Sequence, residues 1–337
     1  MTARADVVPP EAPGSAAASG ARTHRAGPAR PRSRSRSRAR SREARTAAAF
    51  LLPFCALFLL CFVVPIGYAV QQSLLRTVRT GPLGFGGSHD VFAGLANYTH
   101  ALSDGSFLAG FGRVLLFGVV QVPLMLALAA ALALLLDSAS ARGIGFFRTA
   151  YFLPYGVPGV IASILWGFLY VPGISPLVQI LHSAGWQVDF LSKSTVLWSI
   201  ANIVTWQFTG YNMLVLIAQL KAVPAELYEA ARLDGANAAR VAWHIKLPLI
   251  RPALVLTAVF SIIGTLQLFS EPLVLRPLSP AIDSGYTPNL HAYNEAFAAN
   301  DYHVAAAEAV LLALVACALS FGFLSLVGRR GGDGALR

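Results

Sequence analysis

The most informative stretch of the sequence is Glu229-Ala230-Ala231-Arg232-Leu233-Asp234-Gly235, followed after nine residues by Ile245-Lys246-Leu247-Pro248. It belongs to a polar segment, residues 221–252, that separates two long apolar stretches. Alanine favours helix, and glycine readily adopts the left-handed conformation that ends one. We therefore expect the 221–252 segment to form two short helices that meet at a bend near Gly235.

Residues on both sides of this bend favour helix boundaries. Pro224 suits a first helical position, where its missing N–H is not needed. Asn237 can cap the second helix, which Pro248 is expected to end after Lys246. On the first helix, four residues at helical spacing form a strip that another protein could approach closely: Leu227, Ala230, Ala231 and Asp234.

The composition indicates a membrane protein. Apolar residues make up 55% of the chain and charged residues 12%, against about 25% charged in soluble domains. Six apolar stretches approach or exceed the roughly 20 residues that cross a bilayer: 47–72, 110–136, 149–171, 196–220, 253–275 and 304–327. Each must be helical, because lipid offers backbone groups no hydrogen-bond partner. The predicted fold is all-α, with six transmembrane helices and the 221–252 segment between the fourth and fifth.

Charge divides the chain into three parts. Residues 1–46 hold eleven of the 26 basic residues and three acidic ones, and their Arg-Ser run lacks apolar periodicity, so they are expected to be a disordered tail. Such runs can bind nucleic acid in soluble proteins, but beside a membrane span we expect contact with anionic lipid instead. Residues 47–328 are the predicted transmembrane domain, and 329–337 a short second tail.

The loops predict the orientation, since basic residues accumulate on the cytoplasmic side. With the amino-terminal tail inside, the inside loops and the carboxy-terminal tail hold ten basic residues and the outside loops five. Both termini and the 221–252 segment are therefore expected in the cytoplasm of a multi-pass membrane protein.

Together these patterns resemble the permease subunits of ATP-binding-cassette (ABC) importers, specifically the carbohydrate branch related to maltose and glycerol-phosphate permeases. The 221–252 segment resembles their coupling loop. Three further motifs of that branch are present: Gly94-Leu95-Ala96-Asn97-Tyr98, Phe146 to Pro154 (FFRTAYFLP), and Gly210-Tyr211-Asn212-Met213-Leu214 ahead of Val223-Pro224-Ala225-Glu226-Leu227-Tyr228. One departure is Leu275 to Pro280 (LRPLSP), where the family usually has T-x-G-G-P.

The resemblance implies a location in the bacterial cytoplasmic membrane, as well as partners and roles. The partners include a second homologous permease, a cytoplasmic ABC ATPase dimer and an extracytoplasmic solute-binding protein, with solute moved by alternating access. The resemblance also implies that Glu229 meets an arginine of the ATPase and that Gly235 permits the bend. The full set of predicted coupling residues is Glu229, Ala230, Ala231, Asp234, Gly235, Ile245, Leu247 and Pro248.

No catalytic residue, metal or cofactor is expected on this chain. Its three lysines, Lys193, Lys221 and Lys246, do not follow glycine, so the sequence contains no G-x-x-x-x-G-K-[ST] phosphate loop. ATP and Mg²⁺ are therefore expected on a separate ATPase.

Polar residues within the spans suggest where solute passes, because they usually face an interior or a cavity. Eight residues of the fourth and fifth spans are predicted to line the pathway: Gln207, Gly210, Tyr211, Asn212, Ser261, Gly264, Thr265 and Leu268. Trp206 and Tyr211 could stack on a sugar ring or belong to an interfacial aromatic belt. Glu271 is expected either in the pathway or reaching outside water. Glu308 is expected near the outer end of the sixth span, at the membrane interface or, as the alternative, in the pathway.

The leading hypothesis is an importer of a sugar or related polyol. The alternatives are an ABC permease for another small solute, such as a glycerophosphodiester, and an ion-coupled secondary transporter. The latter predicts charged residues at mid-membrane depth, which the spans largely lack. A membrane enzyme would need a catalytic cluster, and none stands out.

Overall fold

The computed structural model describes residues 48–80, 87–138 and 142–332, with side chains as far as Val327. The predicted tail at 1–46 and residues 333–337 lie outside the described residues. By its contacts the chain divides into two units, 1–61 and 62–337. In the first unit, the described residues 48–61 are helical.

The second unit is predominantly helical, which confirms the predicted all-α class. Its helices are α1 (Val64–Ser73), α2 (Ala96–Ser103), α3 (Gly105–Leu136), α4 (Ile144–Phe152), α5 (Gly159–Tyr170), α6 (Pro176–Ser183), α7 (Val196–Lys221), α8 (Ala225–Leu233), α9 (Ala238–Val241), α10 (Leu247–Leu266), α11 (Ser270–Leu275), α12 (Pro288–Phe297) and α13 (Tyr302–Gly332). Strands β1 (Leu75–Arg79) and β2 (Ser88–Phe92) form an antiparallel hairpin, in which Leu75 pairs with Phe92 and Arg79 with Ser88.

Four described helices are long and apolar enough to cross a membrane: Ala48–Ser73, Gly105–Leu136, Ala238–Leu275 and Tyr302–Val327. The pair Ile144–Gly156 and Gly159–Tyr170 is a fifth candidate if its two parts form one span. Helix α7 has the required length at 26 residues, but its amides and hydroxyls make it less apolar than these four. The count of six spans therefore stays a prediction.

The predicted third span is not a straight helix. Its two parts meet at 98°, and Pro154 and Pro158 lie at the break, where neither can donate a helical hydrogen bond. The side-chain amide of Gln207 donates to the carbonyl of Val157 at 2.7 Å, which satisfies one backbone group that the break leaves open.

Two apolar clusters pack α3 against α7. One includes Phe117 of α3 with Ile200 and Ile203 of α7, and the other includes Ala129 of α3 with Leu216 of α7. The second cluster lies at the end of the molecule that carries the 221–252 segment, because it includes Leu220 and Ile250. The hairpin and α12 lie toward the opposite end, where α3 begins.

A buried polar cluster ties α12 to α13 near that opposite end. His291 Nδ1 lies 3.0 Å from a carboxylate oxygen of Glu308, and its Nε2 lies 3.6 Å from Asp104, the residue that caps α3. The hydrogen bond to Glu308 raises the pKa of His291. The side chain of Glu308 is only 1% exposed, because its histidine partner on α12 holds it inside the protein.

Candidate functional site

A central cavity of about 390 Å³ lies between the two apolar clusters. On α3 the cavity residues Gln121 and Met125 follow Phe117 of one cluster and precede Ala129 of the other. The remaining walls come from α7, α10, the turn before α11 and the break in the third span. Its lining residues are Phe117, Gln121, Met125, Tyr155, Val204, Phe208, Tyr211, Asn212, Phe260, Ser261, Gly264, Thr265, Gln267, Leu268, Phe269, Ser270 and Glu271.

One wall of the central cavity is aromatic. The rings of Tyr155 and Tyr211 stack with their centroids 4.7 Å apart and their planes 17° from parallel. Phe208 meets Tyr155 edge-on at 5.8 Å. Tyr155 reaches this wall because the break in the third span directs the chain across α7. The result is a broad apolar face that also carries two phenolic hydroxyls.

Uncharged polar groups give the same cavity hydrogen-bonding capacity. The amide of Gln121 donates to Thr205 Oγ1 at 3.2 Å, but its buried Oε1 has no hydrogen-bond partner among the described residues. Asn212 donates to the carbonyl of Phe208 at 3.0 Å, which leaves its oxygen available. An apolar face with a few placed amides and hydroxyls is the usual construction of a small-molecule site.

Glu271 is the one formally charged residue among those lining the cavity. It is 9% exposed, so its side chain is largely enclosed by the protein. Lysine, arginine and histidine are absent from the described lining residues. In the same described part of the chain, no group of three His, Cys, Asp or Glu residues could hold a metal ion.

The structure brings six of the eight predicted pathway residues to the central cavity: Tyr211, Asn212, Ser261, Gly264, Thr265 and Leu268. Gln207 instead bonds to Val157 at the break in the third span. Gly210 lies where α7 crosses α4 so closely that an added Cβ would meet the carbonyl oxygen of Tyr151 at 1.8 Å. Trp206 packs edge-on against Trp166 at 5.8 Å, within an apolar cluster.

Gln121 and Tyr155 also line the cavity but were not among the predicted pathway residues. Gln121 is a polar amide within an otherwise apolar stretch, a pattern that marks an interior-facing position. Tyr155 lies between Pro154 and Pro158, and prolines four residues apart predict a broken helix inside a membrane span. Both signals are present in the sequence.

The 221–252 segment forms the expected bent helix pair. Helix α8 ends before Gly235, whose φ of +79° is left-handed, and Asn237 caps α9 by accepting from the Arg240 amide at 2.8 Å. The segment also exposes large apolar side chains to an unusual degree for a polar loop: Leu227 is 48%, Trp243 69% and Leu233 89% exposed. Glu229, Ala230 and Asp234 are exposed beside them, and Ala231 is half-buried.

Lys246 joins this segment to α3. Its ammonium lies 2.6 Å from the Asp137 carboxylate at the end of α3 and also donates to the Asp137 carbonyl at 3.2 Å. The same ammonium lies 5.1 Å from the centre of the Tyr228 ring on α8. Burial and the nearby Asp137 carboxylate raise the pKa of Tyr228. One cation thus contacts both α8 and the end of α3.

Pro248 does not end a helix as predicted. A π-helical turn, Ala242–Lys246, carries the chain from α9 directly into α10, and Pro248 lies in the first turn of α10. Proline is compatible with that position because the first amides of a helix need no internal acceptor. Ile245 and Leu247 are half-buried at this junction, and Pro248 is exposed. The second short helix is therefore continuous with the next long one.

Comparison with known proteins identifies the family. Residues 124–331, more than half of the chain, match the family model of the binding-protein-dependent transport system inner membrane component. The diacetylchitobiose uptake system permease protein NgcF of Streptomyces coelicolor is 32% identical over 302 residues, which cover 85% of this chain and 83% of that protein. The sn-glycerol-3-phosphate transport system permease protein UgpA of Agrobacterium fabrum is 30% identical over 263 residues, or 77% and 86% of the two chains.

The fold is also found among solved structures. A chain of a bacterial ABC transporter involved in the import of the acidic polysaccharide alginate superimposes with a TM-score of 0.74 at 19% identity, covering 87% of this chain and 99% of that one. The chain therefore belongs to the family of inner-membrane permease components of binding-protein-dependent ABC transport systems.

Proposed function

We propose that this permease imports a neutral saccharide through the central cavity, as one of two homologous permease subunits that work with an ABC ATPase dimer and an extracytoplasmic binding protein. Members of the family are permease components and not enzymes, and the ATPase is a separate subunit. The single observation that carries the proposed substrate is the lining of the central cavity. It combines stacked tyrosine rings with uncharged amides and hydroxyls.

This lining favours a neutral sugar over a phosphorylated solute. A sugar ring presents apolar C–H faces to aromatic rings and hydroxyls to amides, and both kinds of partner are present. A phosphate or carboxylate would need a cationic or hydrogen-bond-donating anion site. The described lining offers no Lys or Arg. The glycerophosphodiester alternative is thereby disfavoured, although UgpA is named for glycerol 3-phosphate transport.

Coupling to the ATPase is assigned to the 221–252 segment. Its exposed Leu227, Leu233 and Trp243 offer apolar area that a soluble loop seldom shows. Exposed Glu229 provides a carboxylate for an arginine of the ATPase. Lys246 supports transmission of force, because it ties the segment to α3, which lines the central cavity. The distribution of basic residues supports our proposal that the segment and both termini face the cytoplasm.

Uptake in the native host tests the substrate. A strain lacking this chain is supplied with wild type, Tyr211→Leu, or the control Trp198→Leu, which alters an aromatic residue of α7 outside the central cavity. Labelled maltose, diacetylchitobiose, trehalose and glycerol 3-phosphate are compared. We expect ATP-dependent uptake of one or more of the sugars, and a KM raised about three- to tenfold by Tyr211→Leu, since one aromatic contact contributes about 0.5–1.5 kcal/mol. Restoration of glycerol 3-phosphate uptake alone would contradict the proposal.

A further inference from the structure

A second and larger cavity lies near the hairpin end of the molecule. This aromatic chamber, bounded by α1, the β1–β2 hairpin, α12 and the start of α13, has a volume of about 690 Å³. That volume is within the range of about 300–1,000 Å³ typical of small-molecule sites. The hairpin end is opposite the 221–252 segment, so in the proposed orientation the chamber lies at the extracytoplasmic end of the molecule.

A row of four aromatic rings forms one wall of the chamber: Phe269, Tyr293, Phe297 and Tyr302. Successive ring centroids are 5.2, 4.8 and 6.5 Å apart. Tyr293, Phe297 and Tyr302 are 41%, 65% and 55% exposed, so they do not form part of the apolar core. Together they present apolar surface to the chamber.

Polar groups line the same chamber. Thr77 donates to an oxygen of Asp90 at 2.9 Å, and His303 Nε2 lies 3.0 Å from Thr77. His303 Nδ1 lies 3.0 Å from the carbonyl of Gln72, which holds the imidazole in place. An aromatic belt at a membrane interface faces lipid. These rings instead share a concave space with a carboxylate, a hydroxyl and an imidazole.

The chamber and the central cavity share Phe269, which lines both. Phe269 lies in the break between α10 and α11, with an irregular backbone at φ −143° and ψ −53°. Asn289 of the chamber donates to the carbonyl of Gln267, a residue of the central cavity, at 3.3 Å. The two spaces are therefore neighbours with one aromatic ring between them.

We propose that the aromatic chamber is a second saccharide-binding site, which holds the sugar rings of an oligosaccharide that extend beyond the central cavity and leads them past Phe269. The inference rests on the proposed function. The rings, inclined to their neighbours by 41° to 85°, offer aromatic faces and edges to the apolar faces of sugar units. The polar wall supplies acceptors and donors for the sugar hydroxyls. The central cavity, at about 390 Å³, binds the leading unit or units, and the chamber contributes to affinity only for longer chains.

The test compares chain length in the complete importer. Maltose and maltotetraose, and in parallel di- and tetra-N-acetylchito-oligosaccharides, are taken up by cells that carry wild type, Tyr293→Leu or Phe297→Leu. Each variant removes one exposed ring, and we expect the KM for the imported tetrasaccharide to rise about three- to tenfold. The KM for the disaccharide and both maximal rates should stay within about twofold of wild type.

Two further variants separate sugar contact from a structural role. Phe92→Leu alters an aromatic residue at the same end that is 76% exposed but does not line the chamber, and it should leave all KM values unchanged. Tyr293→Trp keeps an aromatic face and should restore tetrasaccharide uptake. Co-purification of the partner subunits and basal ATPase activity should be normal throughout.

The outcomes are distinct. If wild type imports neither oligosaccharide series, the proposed function itself fails. If wild type imports a series but the leucine variants match Phe92→Leu, the chamber does not bind sugar. Equal losses for the di- and tetrasaccharide, or losses that Tyr293→Trp does not restore, would show that the rings support the fold or contact another subunit, and would overturn the inference.

Discussion

The central cavity and the 221–252 segment are built in opposite ways. The segment is local: its bend, cap and exposed strip come from fewer than 35 consecutive residues, and few of its side chains are buried. The cavity is assembled from side chains that are distant in the sequence. The first and last of its lining residues, Phe117 and Glu271, are 154 positions apart. Function in the segment should thus depend on individual surface residues, whereas function in the cavity depends on how closely whole helices approach.

We expect the largest loss of folded protein and of transport when Gly210 is substituted. This substitution tests whether the cavity depends on the close approach of α7 and α4. Gly210→Ala places a Cβ 1.8 Å from the Tyr151 carbonyl oxygen, a backbone atom that cannot rotate away, so α7 and α4 must separate. Overpacking typically costs about 1–3 kcal/mol, and more where backbone is involved. We expect a strongly reduced yield of folded protein and no measurable uptake, checked by size-exclusion chromatography in detergent and by transport.

Gly264→Ala is the matched control, because an added Cβ at Gly264 meets nothing within 4 Å although the residue lines the central cavity. It should fold normally. Equal yields for the two variants would contradict the close approach of α7 and α4.

The next largest effect is expected at Gly235. Proline requires φ near −65°, which is incompatible with the observed φ of +79°. Gly235→Pro should therefore change the angle between α8 and α9 and reduce ATP-driven uptake more than about tenfold, while the chain still inserts. Glu229→Lys should have a similar effect through its reversed charge. Uptake and co-purification of the ATPase are the measurements.

Gly235→Asn is the control, since asparagine tolerates the left-handed conformation better than other residues with a side chain. It should keep most of the activity. If Gly235→Pro and Glu229→Lys both transport and bind the ATPase normally, the coupling role of the segment is wrong.

A smaller loss of activity is expected when Lys246 is substituted. This residue joins the 221–252 segment to α3, which lines the central cavity. Lys246→Met removes the 2.6 Å ion pair with Asp137, whose partners are 12% and 19% exposed. Hydrogen bonds to charged groups contribute about 1.5–3 kcal/mol, so the segment should be held less firmly against α3. We expect sugar-stimulated ATPase activity to fall several-fold, with less change in basal activity.

Lys221→Met is the matched control, because Lys221 is exposed and forms no ion pair within the described residues. It should leave both activities close to wild type. Equal effects of the two lysine substitutions would mean that charge, and not the contact with Asp137, matters.

The sequence predicted the local features well. The bend at Gly235 and the cap at Asn237 follow from conformational preferences of single residues. The membrane-embedded helical class follows from composition, because lipid forces backbone groups to pair within a helix. The end of the second helix at Pro248 was predicted incorrectly, since a π-helical turn admits proline at the start of α10.

Non-local features were harder to predict. Gln207 is polar and Gly210 is small, as pathway residues often are. In the structure, however, Gln207 donates to the carbonyl of Val157, and Gly210 permits the close crossing of α7 and α4. The burial of Glu308 against His291 was not predicted, because a residue 17 positions away is not identifiable as its partner from sequence. In each case the role of the residue depends on which groups, distant in the sequence, it contacts in the fold.

By itself the sequence determined the helical membrane class, the bent 221–252 segment and six of the eight proposed cavity residues, because composition, glycine and proline act within a few positions. Only the tertiary structure decided which aromatic rings stack, that Gln121 and Tyr155 join the cavity, and that Phe269 separates it from the aromatic chamber. These arrangements depend on the 98° break in the third span and the break before α11. Such breaks are stable only because distant side chains satisfy the backbone groups that they expose.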